Sequence, residues 1–299
     1  MTDILSKPII VVGSARSGTT FLGNILSTHP DLYYLEEPRL TWRYGNDSKS
    51  DRLTSADATP QVCDYIRNEF ATRAKKQGGL RILEKSPSNS LRLEFVDQVF
   101  PDAKFVHIIR DGTQSVLSIY RFWKEESRGL PTKRIGVRLK ELSITRLPYY
   151  SFEVLKRVLP QGAAHWTGQP VWGPRIPGLN GLLRDLDLLE VCCLQWRMCV
   201  EAACTYGRSL PATRYMECRL EDMSPELLQR VMEFTELEDA SEIWEAFEKK
   251  FDPSQPGRRT PNAEPAQIEL IHKWIEPTMK WLESESSVPS PGESSPGRG

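Results

Sequence analysis

No stretch of about 18 consecutive apolar residues, the length a membrane-spanning helix needs, occurs in the chain. An excess of either charge is missing too. The 39 basic and 40 acidic side chains leave a net charge of −1, so no global field draws the protein to nucleic acid or to an anionic membrane. Neither is expected as a partner, and any anion must be gripped locally. The six cysteines, at 63, 192, 193, 199, 204 and 218, contain no Cys-x-x-Cys pair, and the four histidines, at 29, 107, 165 and 272, are scattered. A metal site and a disulfide framework are therefore not expected. Met1 to Lys7 carries Asp3 and lacks a basic stretch followed by an apolar core, so the expectation is a soluble, cytoplasmic protein without a signal peptide.

What is present is a chain of 299 residues, long enough to bury a full core. Four short apolar segments predict strands: Pro8 to Val12, Leu80 to Glu84, Lys104 to Ile109 and Thr213 to Arg219. Helical spacing separates them, with Leu91, Phe95, Val96 and Val99 on one face of Ser88 to Phe100, and Val116, Leu117 and Tyr120 on one face of Gly112 to Trp123. Leu189, Cys192, Cys193, Trp196, Val200 and Ala203 likewise mark a core helix between Leu186 and Tyr206, its cysteines serving as small hydrophobes. Strands alternating with helices imply an α/β domain with a central parallel sheet flanked by helices, and ligands at the carboxyl ends of the strands. We assign that domain to residues 1–283, with about 125–181 as an inserted lid and 284–299 as a disordered Ser/Pro/Gly tail.

The first strand runs into Gly13-Ser-Ala-Arg-Ser-Gly-Thr-Thr20 and then a helix. Two glycines let successive backbone N–H groups turn inward, and a helix start adds its positive dipole end, so the layout is a phosphate cradle. Its spacing matches the nucleotide-binding pattern GxxxxGK[S/T], yet Thr19 stands where that pattern has lysine. A nucleoside triphosphatase or kinase uses that lysine on the β- and γ-phosphates. Here the fixed charge is Arg16, inside the loop. A P-loop small-molecule kinase remains the first alternative, and a non-catalytic nucleotide-binding protein the second.

Arg16-Ser-Gly-Thr-Thr20 after an apolar strand resembles the 5'-phosphosulfate loop of sulfotransferases that use 3'-phosphoadenosine 5'-phosphosulfate (PAPS). Lys104 to Tyr120 resembles that family's 3'-phosphate block, a strand ending in Arg-Asp-Gly with a serine eight residues after the arginine; Arg110 and Ser118 take those positions. A strand-end arginine and a hydroxyl on the following helix can grip one phosphate by charge-assisted bonds. Within the family the likeness is to the tyrosylprotein and bacterial glycan-type enzymes, through Thr28-His-Pro-Asp31, Glu36-Glu37-Pro-Arg39 and Glu84-Lys-Ser-Pro87. The resemblance implies a P-loop-type, sulfotransferase-like sheet and transfer of a sulfuryl group to an acceptor hydroxyl of a carbohydrate, lipid, phenol or tyrosine.

The resemblance also implies roles. Glu37 follows Arg16 at the interval that places the general base in the tyrosylprotein enzymes, with Glu36 as the fallback. Lys85 falls at the family's active-site lysine, although Glu-Lys-Ser-Pro replaces Asn-Lys-Asp-Pro. Catalysis then rests on Glu37, Lys85 and Arg16. Arg16, Ser17, Gly18, Thr19 and Thr20 hold the 5' end of the nucleotide, Arg110 and Ser118 its 3'-phosphate, and Arg258 and Arg259 match a basic loop over that phosphate. Arg214 to Pro225 resembles the family's Arg-Tyr-Glu-Asp-Leu element with Leu220 in place of the tyrosine. Trp172-Gly-Pro-Arg175 resembles a segment of bacterial relatives and is a candidate wall of the acceptor pocket.

Overall fold

The computed structural model describes residues 4–126, 172–238, 240–251 and 263–286. The four apolar segments form strands, and the structure adds a fifth. Strands β1 (Ile9–Val12), β2 (Leu32–Glu36), β3 (Arg81–Lys85), β4 (Lys104–Ile109) and β5 (Tyr215–Arg219) form one sheet in the order β2-β3-β1-β4-β5. Every pairing is parallel. The described helices are α1 (Thr19–Leu26), α2 (Arg39–Trp42), α3 (Pro60–Lys75), α4 (Leu93–Val99), α5 (Gly112–Glu126), α6 (Leu179–Asp185), α7 (Leu188–Gly207), α8 (Pro225–Thr235), α9 (Ser241–Lys250) and α10 (Pro265–Ser286). None of them is long and apolar enough to cross a membrane.

A parallel sheet must be covered on both faces, and β1 shows how its sequence meets that demand. All four of its residues are buried. Ile10 and Val12 join a core with Trp42, Phe70, Phe95 and Phe100, whereas Ile9 and Val11 join Leu22 and Ile25 of α1 and Leu228 and Val231 of α8. The period of two thus sends alternate side chains into two cores. Trp42 meets Phe70 edge-on at 5.1 Å and Phe100 at 6.1 Å; complete burial of such side chains contributes roughly 1.5–3 kcal/mol each. A third core joins α5, α7 and α10, and the cysteines of α7 lie inside it or on its border with the sheet.

Several boundaries differ from the sequence reading for local reasons. The expected helix from Ser88 to Phe100 divides into a 3-10 turn, Pro87–Leu91, and α4, because Arg92 at φ −144° breaks the spiral. Its buried guanidinium donates to Asn89 Oδ1 at 2.8 Å and to Ser88 Oγ at 3.3 Å. β3 reaches Lys85, one residue past its expected end, and α10 runs to Ser286, past the expected domain end at 283. Most of the proposed lid, residues 127–171, lies outside the described residues, as do the tail from 287 and both Arg258 and Arg259.

Candidate active site

The loop after β1 is shaped by its two glycines. A Cβ on Gly13 would lie 2.4 Å from the Ile108 carbonyl oxygen, and one on Gly18 would lie 2.7 Å from a Leu220 methyl. Gly18 also has φ 99°, a left-handed value that suits glycine, and it caps the start of α1. Leu220, which stands in for the family's tyrosine, therefore packs against the loop itself. Ser17 is turned inward: its hydroxyl and its N–H both donate to the Ser14 carbonyl, at 2.8 and 3.3 Å. In this conformation Ser17 shapes the loop. Thr19 is buried and Thr20 is exposed in the first turn of α1.

Arg16 is the loop's exposed residue and has φ 66°. Its Nε donates to Ser118 Oγ at 3.1 Å, and its guanidinium lies 5.3 Å from the centre of the Phe122 ring. Arg110 donates to the Arg16 carbonyl at 3.2 Å and to Gln114 Oε1 at 3.0 Å. Its Nε is buried with no hydrogen-bond partner among the described residues. Arg16, Arg110 and Ser118, from three places in the sequence, thus form one cationic, hydroxyl-bearing group. Gly112 allows it to sit there, since a Cβ would lie 2.7 Å from Ile275 and 2.9 Å from Trp196. Glu221 accepts the Asp111 N–H at 2.9 Å and ties this strand end to the element after β5.

A second group sits at the ends of β2 and β3. Glu36 lies in register with Lys85, and Val11 of β1 lies in register on the other side. The Lys85 side chain is fully buried, and its ammonium donates to Glu36 Oε1 at 3.0 Å and Glu37 Oε1 at 2.9 Å. Arg39 donates to Glu37 Oε2 from Nε at 3.0 Å and from Nη2 at 2.5 Å. Burial would raise the pKa of Glu37, but the charges and hydrogen bonds of Arg39 and Lys85 outweigh it and hold the carboxyl at about 2. Glu37 is therefore ionised throughout the neutral range.

Behind Lys85, on the opposite face of β3, Glu84 is fully buried. It accepts from Trp42 Nε1 at 2.9 Å, Ser86 Oγ at 2.5 Å and Asn89 Nδ2 at 2.9 Å. Burial pushes its carboxyl up to about 7 against those bonds and the charges of Arg92 and Lys85. Arg92 in turn faces Asp51 at 3.7 Å, and Asp51 accepts from the Arg175 backbone and guanidinium at 2.8 and 3.3 Å. The Trp172-Gly-Pro-Arg175 segment is thereby fastened below the site, while its Trp172 ring packs on Phe122 at 4.5 Å.

Sequence reasoning missed Arg39, Trp42, Asp51, Arg92 and Phe122. Arg39 stood inside a motif already quoted, and Phe122 follows Ser118 by one helical turn. The others had no local signal. Of the histidines, His107 is buried with Nδ1 2.7 Å from the Tyr215 hydroxyl. It brings a possible metal-ligand atom within 4.8 Å of those of Cys204 and Glu217. Arg208 occupies both oxygens of Glu217, at 2.8 and 2.9 Å, while His107 Nε2 is buried with no hydrogen-bond partner among the described residues.

The order of strands sets the two groups side by side. β1 lies between β3 and β4, so the loop that follows it separates the Lys85–Glu37 group from the Arg110–Ser118 group along one row of strand ends. Comparison with known proteins bears on the family and the fold. The sequence profile of the Sulfotransferase family matches residues 8–162, just over half of the chain. Protein-tyrosine sulfotransferase 1 of Homo sapiens is 32% identical over 124 residues, covering 38% of this chain and 34% of that protein. The protein-tyrosine sulfotransferase of Drosophila melanogaster is 31% identical over 124 residues, covering 38% and 25%. The matched segment is thus about a third or less of these relatives' length. Among solved structures, the sulfotransferase domain of the Synechococcus PCC 7002 olefin synthase has a TM-score of 0.52 at 15% identity, covering 95% of this chain and 97% of that one. A sulfotransferase from Alicyclobacillus acidocaldarius has a TM-score of 0.51 at 17% identity, covering 93% and 95%. The structures speak for the fold and the profile for the lineage: the chain belongs to the sulfotransferase family.

Proposed function

We propose that the protein transfers a sulfuryl group from PAPS to a hydroxyl of an acceptor, which is a carbohydrate, lipid, phenol or tyrosine. The observation that carries this reading is the buried Lys85 joined to the Glu37 carboxylate beside a glycine-cradled anion loop. A donor with phosphates at both ends fits the residues present. Gly13 and Gly18 let the loop turn where any Cβ would collide with the Ile108 carbonyl oxygen or Leu220, and Arg110, joined to Ser118 through Arg16, has a buried Nε with no hydrogen-bond partner among the described residues. Arg16, Thr19 and Thr20 would hold the 5' end and Arg110 with Ser118 the 3'-phosphate. Gly18 would let the backbone come close.

When bound, PAPS supplies an activated sulfur whose bond to the phosphate oxygen breaks as the acceptor oxygen attaches. Glu37 takes the acceptor's proton: its carboxylate is ionised at neutral pH, and giving up the Lys85 hydrogen bond as the acceptor binds would make it a stronger base. Lys85 supplies positive charge where the leaving oxygen becomes more negative, and Arg16 adds a second cation at the loop. Both cations are fixed parts of the protein.

The kinase reading is weakened by Thr19, whose side chain is buried where a lysine would reach the phosphates. Thermal unfolding separates the two. We expect 3'-phosphoadenosine 5'-phosphate to raise the melting temperature without Mg²⁺, by the equivalent of about 2.7 kcal/mol at a hundred times its Kd. Greater stabilisation by ATP with Mg²⁺ would favour the kinase.

A further inference from the structure

Glu37 carries its carboxylate on a turn built from three residues. Pro38 disfavours the right-handed helical region for its predecessor, and Glu37 adopts the left-handed one at φ 50°. Pro38 has φ −72° and ψ 61°, the angles of an inverse γ-turn. The Arg39 N–H closes that turn by donating to the Glu37 carbonyl at 2.6 Å. A left-handed conformation is costly for a residue with a side chain, and the Glu37 N–H helps to hold it by donating to the Lys85 carbonyl at 2.9 Å. The turn folds Arg39 back over Glu37.

The two carboxylate oxygens are consequently held in different ways. Oε2 accepts twice from the Arg39 guanidinium, at 3.0 and 2.5 Å, whereas Oε1 accepts once from the Lys85 ammonium, at 2.9 Å. A guanidinium is permanently charged and presents its donors in a rigid plane; an ammonium pivots on a flexible stem and has three donors to share. Glu36 Oε1 already shares the Lys85 ammonium, at 3.0 Å. Oε1 is therefore the oxygen whose partner can leave, and Glu36 can retain the lysine when it does.

We infer that Arg39 is a positioning residue for the base, pinning Glu37 through Oε2 so that Oε1 takes the acceptor's proton, with Glu36 as second anchor of Lys85. The inference rests on the sulfuryl-transfer reading above. The charged and titratable neighbours of Glu37 among the described residues are Arg39 on its own turn, Lys85 from β3, and Glu36 and Tyr34 from β2. Burial, and then Glu36, Glu84 and Glu37, push the Tyr34 hydroxyl up, so it stays neutral. Burial acts to raise the Glu37 pKa, and the Arg39 charge comes first among the influences that lower it, ahead of Lys85. Removing Arg39 must therefore move the carboxyl upward.

The test uses Arg39→Gln and Arg39→Lys in full-length protein labelled with ¹³C at the glutamate carboxyls. The Glu37 signal is assigned by its loss in Glu37→Gln. We expect its titration midpoint to rise by about one pH unit or more in Arg39→Gln and by less in Arg39→Lys, which restores the charge without the fork. Affinity for 3'-phosphoadenosine 5'-phosphate should stay within about twofold, while kcat on any acceptor the wild type uses falls roughly ten- to a hundredfold with little change in KM. A purely structural arginine would lower the melting temperature and leave kcat of the folded variant near the wild-type value, even where the Glu37 titration moves. An unchanged kcat or an unchanged titration in Arg39→Gln overturns the inference, as does a loss of bisphosphate affinity, which would make Arg39 a donor ligand. Failure of the wild-type protein to bind the bisphosphate removes the functional reading and the inference together, and it shows before any substitution is made.

Discussion

Glu37→Gln is expected to lower turnover about a hundred- to ten-thousandfold, the usual worth of a positioned general base, while the nucleotide binds with near-normal affinity. Glutamine keeps the shape of the side chain, and its one carbonyl oxygen can still accept from Arg39 in the place of Oε2, with Lys85 left to Glu36. It cannot take the proton. Glu36→Gln should be far milder, because Glu36 is half exposed and its contact with Lys85 is shared with Glu37. Rates for the two variants on one acceptor decide between them. Near-normal turnover in Glu37→Gln removes the assignment, and a collapse confined to Glu36→Gln moves the base one residue back.

Lys85→Met is expected to cost about a hundred- to a thousandfold in kcat, the range seen when one stabilising donor is removed from a developing oxyanion. Methionine fills a similar volume in a position with no solvent exposure, so the packing around β3 should survive. A second effect follows with a definite sign. Lys85 lowers the Glu37 pKa both by charge and by hydrogen bond, so its loss raises that pKa. The acid limb of kcat/KM, which reports the free enzyme, should move to higher pH in the variant. A reduced kcat with an unmoved acid limb would mean that Lys85 does not act on Glu37 as the distances imply.

The same carboxylate links activity to stability. The folded-state pKa of Glu37 lies below its unfolded value, so its contribution to stability is present above the ordinary carboxylate range and is lost as pH falls toward about 2.

Much of the loop after β1 could be read locally, because its glycines, hydroxyls and helix start fall within a dozen residues. The parallel sheet followed from apolar runs alternating with helical patterns. Strand β2 did not announce itself: Leu32-Tyr-Tyr-Leu-Glu36 contains no β-branched residue and lies at the sheet edge, so its identity depends on pairing with β3. Ending β3 at Glu84 hid the burial of Lys85, because a charged residue reads as the end of an apolar run. The structure shows that its partners across the strand end are what let it enter the sheet. Contacts between distant segments were beyond any local pattern, as with Arg16 and Ser118, 102 residues apart, or Asp51 and Arg175, 124 apart.

The central claim is sulfuryl transfer, and its most direct test is mass spectrometry of a cell extract incubated with the protein and PAPS in the presence of a metal chelator. The account predicts an extract component that gains one SO₃ with wild-type protein and gains almost none with Glu37→Gln. Equal gain with both proteins, or no gain when the bisphosphate demonstrably binds, would contradict it.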